Sequence, residues 1–240
     1  MNYRVWLLLL LGFPGWALAG SCSLLIVGDS LSSGYGLAAG QNWVDLLDAR
    51  MKKAAPPWRV VNASVSGDTT QNGLQRLAPA LSRQRPQGVL IELGGNDALR
   101  GTPPQVIRQN LQAMVRQAKA AGAWVVLLDA PVLPNYGKPY ADALAKLYGD
   151  VARAEKIVHV PCFVCGVGIT PGMMQADGIH PNEKAQARML DAVWPHIRPK
   201  LRCPVKKPCA AQAARADRDA RLKPAAGAGM PASLPRMPKA

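Results

Sequence analysis

The chain has 240 residues, enough for one sizeable domain with extensions, and 49% of them are hydrophobic, as in a globular protein. Its 29 Lys and Arg against 15 Asp and Glu give a formal net charge of +14, which is unevenly distributed along the chain. The apolar run near the N-terminus is too short to span a bilayer, so it does not predict a membrane helix.

The first 19 residues have the features of a secretory signal peptide. Arg4 supplies a positive charge, Val5 to Leu11 is an apolar run, and Ala17 to Ala19 matches an A-x-A cleavage site. We therefore expect residues 1–19 to be removed and the protein to be periplasmic or secreted. A lipoprotein anchored through Cys22 is less favoured, because the leucine expected three residues earlier is missing.

Hydrophobic periodicity predicts five strands that alternate with five helices. The helix after the third strand is predicted to begin at an N-cap, Thr102, followed by Pro103, and the last helix is predicted to open at His180. The predicted strands are Leu24–Val27, Trp58–Asn62, Gly88–Leu93, Trp124–Asp129 and Ile157–Val160, and the predicted helices include Asn42–Ala54, Gln71–Arg83 and Tyr140–Ala154.

This alternation predicts an α/β fold whose parallel sheet is covered by helices on both faces and connected by right-handed crossovers. For a domain of this size we expect the strand order 2-1-3-4-5. The switch point of that order lies between the first and third strands, and therefore between Ser30 and Asn96.

Ser30 follows the first strand at its carboxyl end, where open parallel sheets bind their ligands. This position suits a nucleophile, although serine is also a common turn residue. The neighbouring residues Gly34 to Ala39 match the dinucleotide pattern G-x-G-x-x-A. We reject that interpretation because residues intervene after the strand and the second strand does not end in an acidic residue.

A nucleophilic serine needs a base, a group that orients the base, and donors for the oxyanion. Among three histidines, His180 is the candidate base, because it follows the fifth strand while His159 lies inside that strand and His196 lies on the last helix. Asp177 precedes His180 by three residues and can orient it. Alternatively, Asp177 begins a simple turn and His180 caps a helix.

Gly67 and Asn96 follow the second and third strands, so a backbone N–H and a side-chain amide can converge near Ser30. Asp29 and Asp97 are poorer candidates for orienting the histidine. Asp29 adjoins the nucleophile, and Asp97 is expected to close its own turn.

The five cysteines are Cys22, Cys162, Cys165, Cys203 and Cys209, an odd count that leaves at least one unpaired or modified in an exported protein. The C-x-x-C pair could be a redox motif, half of a metal site or a structural disulfide. It lacks the context of a thioredoxin motif or a zinc site, so structural disulfides are favoured, without an assigned connectivity.

Residues 201–240 form a basic, Pro- and Ala-rich tail, with nine Lys and Arg against Asp217 and Asp219. This composition predicts disorder, because it cannot bury enough apolar surface to offset the entropy of ordering. The tail could weakly contact an anionic membrane or cell-wall polymer, and simple solvation is slightly preferred. We expect no specific nucleic-acid partner, and a monomer.

Four ordered sequence blocks resemble those of the SGNH (GDSL) hydrolases, and further residues resemble the periplasmic branch described as acyl-CoA thioesterase, lysophospholipase and arylesterase. The resemblance covers about residues 23–198. The four blocks are Gly28-Asp-Ser30-Leu-Ser, Ser66-Gly67-Asp-Thr, Gly94-Gly95-Asn96-Asp97 and Asp177-Gly-Ile-His180-Pro.

The resemblance implies a flavodoxin-like three-layer sandwich in residues 20–200 and hydrolysis of acyl esters or thioesters without a cofactor or metal. It implies Ser30 as nucleophile, His180 as base and Asp177 as its orienter. It further implies an oxyanion hole formed by the backbone N–H groups of Ser30 and Gly67 and the side chain of Asn96, and a substrate groove lined by Pro134, Asn135 and Tyr136.

Two alternatives belong to other classes. An α/β-hydrolase would carry a G-x-S-x-G turn, but Ser32 stands here at the position of the final glycine. A non-catalytic envelope- or nucleotide-binding module on the same fold would show no covalent labelling at Ser30.

Overall fold

The computed structural model describes residues 22–53, 58–130 and 137–203. The predicted signal peptide and the predicted tail beyond Cys203 lie outside the described residues. Within these three ranges, no helix is long and apolar enough to cross a membrane.

Five parallel strands form one sheet in the order 2-1-3-4-5, which confirms the predicted topology. The registers place Leu25 of the first strand between Val61 of the second and Val89 of the third, and Gly28 opposite Glu92. The strands are β1 Cys22–Gly28, β2 Trp58–Asn62, β3 Gly88–Glu92, β4 Trp124–Leu128 and β5 Val158–Val160.

Helices cover both faces of this sheet, so alternate residues of one strand enter different cores. The longer helices are α2 Trp43–Lys52, α3 Thr70–Gln84, α5 Pro104–Ala120, α6 Lys138–Glu155 and α8 Gln186–Ile197. Three short helices, not predicted from periodicity, are α1 Ser30–Ser33, α4 Gly95–Leu99 and α7 Cys165–Gly168, and single 3₁₀ turns span Glu183–Ala185 and Arg198–Lys200.

The two cores are separated by the sheet. Leu25 and Val27 of β1 pack with α3, α5 and α6 on one face, whereas Leu24 and Ile26 pack with α2 and α8 on the other. All of β1 is buried, as expected for a central strand of a doubly covered sheet. The predicted three-layer sandwich is therefore confirmed.

Two helix starts differ from the predictions. The N-cap of α5 is Pro103 rather than Thr102, and α5 begins at Pro104, whose fixed φ suits the first turn. The carbonyl of Thr102 instead accepts a hydrogen bond from the Tyr140 hydroxyl at 2.8 Å. The last helix begins only after the 3₁₀ turn capped by Asn182, so His180 remains in a loop.

Two disulfides lie within the described residues. Cys162 is bonded to Cys165, and Cys22 is bonded to Cys203 across 181 residues of sequence. Because the Cys22 sulfur is bonded to Cys203 of the same chain, it does not carry a lipid here, which disfavours the lipoprotein alternative. Leu201 and Cys203, the first residues of the predicted tail, pack against the α2 and α8 core.

We expect the Cys22 to Cys203 bond to contribute about 2–4 kcal/mol to stability, because it closes a very long loop in the unfolded chain. The test compares a chain that ends at Cys203 with the same chain carrying Cys22→Ser and Cys203→Ser. By calorimetry the double variant should melt roughly 5 to 15 °C lower.

Under reducing conditions the two chains should melt alike. Equal melting temperatures without reductant would contradict the assigned contribution.

Candidate active site

The loop after β1 places Ser30 at the carboxyl edge of the sheet. Asp29 is the N-cap of α1, and its carboxylate accepts the backbone N–H of Leu31 at 3.0 Å. Ser30 therefore lies in the first turn of a short helix that its own neighbour caps.

The structure brings the predicted trio together. His180 Nε2 lies 2.9 Å from Ser30 Oγ, although the two residues are 150 positions apart. His180 Nδ1 lies 2.7 Å from Asp177 Oδ2. Serine, histidine and carboxylate thus form one hydrogen-bonded row.

Asp177 is held by the backbone of the loop that it opens. Its Oδ1 accepts the N–H groups of Ile179 at 2.9 Å and of His180 at 3.0 Å. These contacts, led by the His180 N–H and followed by the His180 side chain, lower the pKa of Asp177 to about 2. An ionised carboxylate at Nδ1 requires a proton on that nitrogen, so Nε2 is the acceptor that faces Ser30.

Tyr35 and Gln175, which sequence reasoning missed, support the histidine loop. The rings of Tyr35 and His180 lie 4.6 Å apart. The backbone N–H of Gln175 donates to the His180 carbonyl at 2.7 Å, and its side-chain amide donates to the Tyr35 carbonyl at 2.9 Å. Tyr35 and Gln175 are 140 residues apart in the sequence, so no local sequence pattern could have revealed their contact.

Asn96 lies in α4, directly beside the Ser30 loop. Its Nδ2 donates to Asp29 Oδ2 at 3.1 Å and to the Asp68 carbonyl at 3.0 Å. Gly94, before α4, has a φ of 123° and faces the Tyr148 hydroxyl, which would lie 2.1 Å from an added Cβ. A glycine is therefore required at the turn that presents Asn96.

Gly67 lies in the loop after β2 with a φ of 82°, in the left-handed region that favours glycine. Its carbonyl accepts a hydrogen bond from Arg100 at 3.2 Å, which connects this loop to the residue after α4. The loops that follow β2 and β3, which carry Gly67 and Asn96, are therefore in contact.

The two aspartates considered as poorer orienters make other contacts. Asp29 holds Leu31 and Asn96. Asp97 accepts the Thr70 N–H at 2.7 Å and the Thr70 hydroxyl at 2.6 Å, so its side chain does not merely close its own turn as expected. Its backbone carbonyl accepts from Thr102 instead.

Glu92 is a buried acid that sequence reasoning did not single out. It ends β3 with 0% exposure, and its Oε2 accepts the Ser32 hydroxyl at 2.7 Å and the Asp29 N–H at 3.3 Å. Burial, followed by the Asp29 charge, raises its pKa well above the usual value. The sequence did contain a signal for it. A glutamate directly after the apolar run Gly88 to Ile91 is expected to be buried, and a buried acid often has a specific role.

A cavity of about 420 Å³ opens beside Ser30 and His180. Its wall includes Cys165 of the Cys162 disulfide. The predicted substrate residues Pro134, Asn135 and Tyr136 lie outside the described residues. The apolar side chains that line the cavity include Leu31, Leu99, Val164, Ile169, Met174 and Ile179.

The other candidate ligands do not form a metal centre. His159 Nε2 is hydrogen-bonded to the Asp129 carboxylate, whose second oxygen accepts the Cys162 N–H at 3.3 Å. In the described part of the chain, no group of three His, Cys, Asp or Glu could hold a metal ion. His159 therefore has a structural partner of its own.

The sequence of this chain is similar to those of known proteins. The chain is 50% identical over 183 residues to esterase TesA of Pseudomonas aeruginosa, covering 76% of this chain and 91% of the relative. It is 41% identical over 181 residues to thioesterase 1/protease 1/lysophospholipase L1 of Escherichia coli K12, covering 75% and 86%.

The fold is also similar to that of a solved structure. The psychrotrophic esterase EstA from Pseudoalteromonas sp., inhibited by monoethylphosphonate, superposes with a TM-score of 0.71 at 35% identity, covering 75% of this chain and 98% of its own. A family model matches residues 26–188, the range that contains Ser30, Asn96, Asp177 and His180. The chain therefore belongs to the GDSL-like lipase/acylhydrolase family.

Proposed function

We propose that this protein hydrolyses acyl esters and thioesters through an acyl-enzyme formed on Ser30. The observation that carries the proposal is the row in which His180 Nε2 lies 2.9 Å from Ser30 Oγ and Nδ1 lies 2.7 Å from Asp177. Esterases and a thioesterase among the relatives support the reaction class.

In the first half of the reaction His180 Nε2 takes the proton of the Ser30 hydroxyl as Oγ attacks the acyl carbonyl carbon. Asp177 stabilises the imidazolium that forms. When the tetrahedral intermediate collapses, the same nitrogen gives its proton to the leaving alcohol or thiol. A water molecule then repeats the sequence on the acyl-enzyme and releases the carboxylic acid.

The negative charge on the carbonyl oxygen needs donors that are already in place. We assign this role to the backbone N–H groups of Ser30 and Gly67 and to the Asn96 amide. The two contacts of Asn96 Nδ2, with Asp29 and Asp68, support a fixed position for this amide. Donation to the oxyanion requires Nδ2 to share one of the hydrogens used in those contacts.

The cavity supports an apolar acyl group as the recognised part of the substrate. Its side chains beside Ser30 are mainly aliphatic, and burial of hydrocarbon yields about 25 cal/mol per Å² of apolar surface. Fatty acyl thioesters, lysophospholipids and aryl esters share this feature, and we propose them as the substrate class.

We also propose that the enzyme works after export and that residues 1–19 are removed. Two disulfides in the described domain support an oxidising compartment. The basic tail after Cys203 is proposed to contact anionic surfaces only weakly.

We predict that Ser30→Ala and His180→Ala each lower kcat by at least about 10³-fold, and that the double variant is little worse than either single variant. The reason is that the two groups act on one proton and form one unit. Hydrolysis of p-nitrophenyl butyrate and of a fatty acyl thioester provides the measurement.

His196→Ala is the matched control, because this histidine lies on α8 and should leave kcat unchanged. Additive losses in the double variant, or near-normal turnover of His180→Ala, would refute the catalytic unit. A binding module would show no Ser30-dependent turnover at all.

Asp177 is expected to titrate near pH 2, so its carboxylate remains charged at every pH at which His180 can act as a base. Because its pKa is lowered from 3.8, its stabilising contacts are complete above that value and are lost as the pH falls through about 2. Carboxyl ¹³C NMR should record the low midpoint.

In His180→Ala the midpoint should rise only part of the way toward 3.8, because the backbone donors remain. A wild-type midpoint at or above 3.8 would contradict the contacts assigned to Asp177.

A further inference from the structure

Glu92 is a fully buried acid beneath the Ser30 loop, and the reaction described above does not use it. Its Oε2 accepts from Ser32 and from Asp29 N, whereas Oε1 is buried without a hydrogen-bond donor among the described residues. The space for this carboxyl depends on Gly28, where an added Cβ would lie 2.8 Å from Oε2 and 2.7 Å from Ser32 Cβ.

The group that meets the Glu92 carboxyl is another acid. Asp29 is 3% exposed, its N–H donates to Glu92 Oε2 at 3.3 Å, and each acid contributes to the pKa shift of the other. Two adjacent buried carboxyls cannot both ionise readily, because each charge is desolvated and repels the other. The pair therefore favours a state in which one carboxyl keeps its proton.

The surroundings decide which acid keeps the proton. Burial raises the pKa of Asp29 to about 6, although hydrogen bonds from Leu31 and Asn96, and nearby His180 when protonated, favour its charged form. Glu92 is fully buried and accepts from Ser32 and the Asp29 N–H, and the buried Tyr148 is a further titratable group that interacts with it. Glu92 is therefore the acid favoured to keep the proton, and Oε1, which accepts no hydrogen bond, is the atom free to carry it.

We propose that Glu92 is a positioning residue that works as a neutral acid, donating a hydrogen bond from Oε1 to the Asp29 carboxylate, which in turn holds the Asn96 amide beside Ser30. This inference rests on the proposed function of Asn96. The contacts run in series, from Glu92 to Asp29 and from Asp29 Oδ2 to Asn96 Nδ2 at 3.1 Å.

Neutrality is essential to this role. An ionised Glu92 would add a second negative charge beneath the oxygen that becomes negative during the reaction, and it would repel Asp29. A glutamine has the same shape, also accepts through its oxygen and donates through its amide. Glu92→Gln should therefore replace the acid, whereas Glu92→Leu should not.

The first experiment is a double-mutant cycle between Glu92→Leu and Asn96→Ala, measured as kcat and KM on p-nitrophenyl butyrate. Asn96→Ala alone should lower kcat by about 10² to 10³. Glu92→Leu alone should lower kcat by about 10- to 100-fold with KM within about twofold, because a misplaced donor affects mainly the transition state.

In the Asn96→Ala background, Glu92→Leu should lower kcat by less than about twofold further, since its effect passes through Asn96. Glu92→Gln should keep kcat within about threefold of wild type. An equal loss in both backgrounds, or a glutamine variant as slow as the leucine variant, would overturn the proposal. Normal kcat in folded Glu92→Leu would also overturn it.

Glu155→Leu is the matched control, because Glu155 is likewise a buried glutamate but pairs with Arg116 at the end of α6. It should lower the melting temperature without lowering kcat. If Glu155→Leu slowed turnover as much as Glu92→Leu, the kinetic effect would be one of general destabilisation and the proposal would fail.

The second experiment tests the protonation state without using enzyme activity. Glu92 loses its proton on unfolding but keeps it in the native state, so wild type should lose stability relative to Glu92→Gln as the pH rises. Above about pH 4.5, where the unfolded glutamate ionises, the ratio of their unfolding constants should change by up to about tenfold per pH unit until native Glu92 ionises. A constant ratio would show an ionised native Glu92 and overturn the proposal.

The two experiments also separate this inference from the proposed function. A wild-type protein without Ser30-dependent hydrolysis would refute the function, and the pH dependence would still decide whether Glu92 is neutral. An active wild type with no coupling between Glu92 and Asn96 would refute only the positioning role.

Discussion

The parallel pairing of β1 with β3 is the constraint on which the rest of the site depends. It places Gly28 opposite Glu92, so both strands end at the same edge of the sheet. Asp29 and Ser30 follow one strand, and Asn96 follows the other within a few residues. A one-residue change of register would turn the side chains of β1 to the opposite core and displace this edge.

The same edge concentrates groups that are unfavourable to bury. Asp29, Glu92 and Asp97 are all nearly inaccessible to solvent, and each accepts hydrogen bonds from neutral donors nearby, although Glu92 Oε1 has none. Burying such groups reduces stability, because a polar group loses its contacts with water. The two apolar cores on either side of the sheet provide the rigidity that tolerates them, and the result is a set of fixed dipoles beside Ser30.

Strand periodicity was sufficient to predict the sheet, because its central strands are continuous apolar runs bounded by turns. The trio Ser30, Asp177 and His180 followed from the rarity of histidine and from the edge at which strands end. The short helices α1, α4 and α7 could not be predicted, since four or five residues are too few for a helical period to be visible. The Cys22 to Cys203 partnership and the Glu92 to Asp29 contact arise from tertiary packing between distant segments, which local patterns do not encode.

Helix α7 and the residues on either side of it form part of the cavity wall. Its disulfide joins two residues of a single turn, and Val164, Cys165 and Ile169 face the space beside His180. Ile169 is 87% exposed, which is unusual for an isoleucine at the mouth of an apolar cavity. A substrate acyl chain that covers this side chain would remove apolar surface from water, so α7 is suited to contribute to binding as well as to shape.

The central claim is that Ser30 is a nucleophile activated by His180, and intact-mass analysis after treatment with a fluorophosphonate tests it most directly. A nucleophilic Ser30 should give one phosphonyl adduct per chain, located on Ser30 by peptide mapping, no adduct in Ser30→Ala, and much slower labelling in His180→Ala. Stoichiometric labelling at another residue, or an unlabelled wild-type protein that is folded, would contradict it.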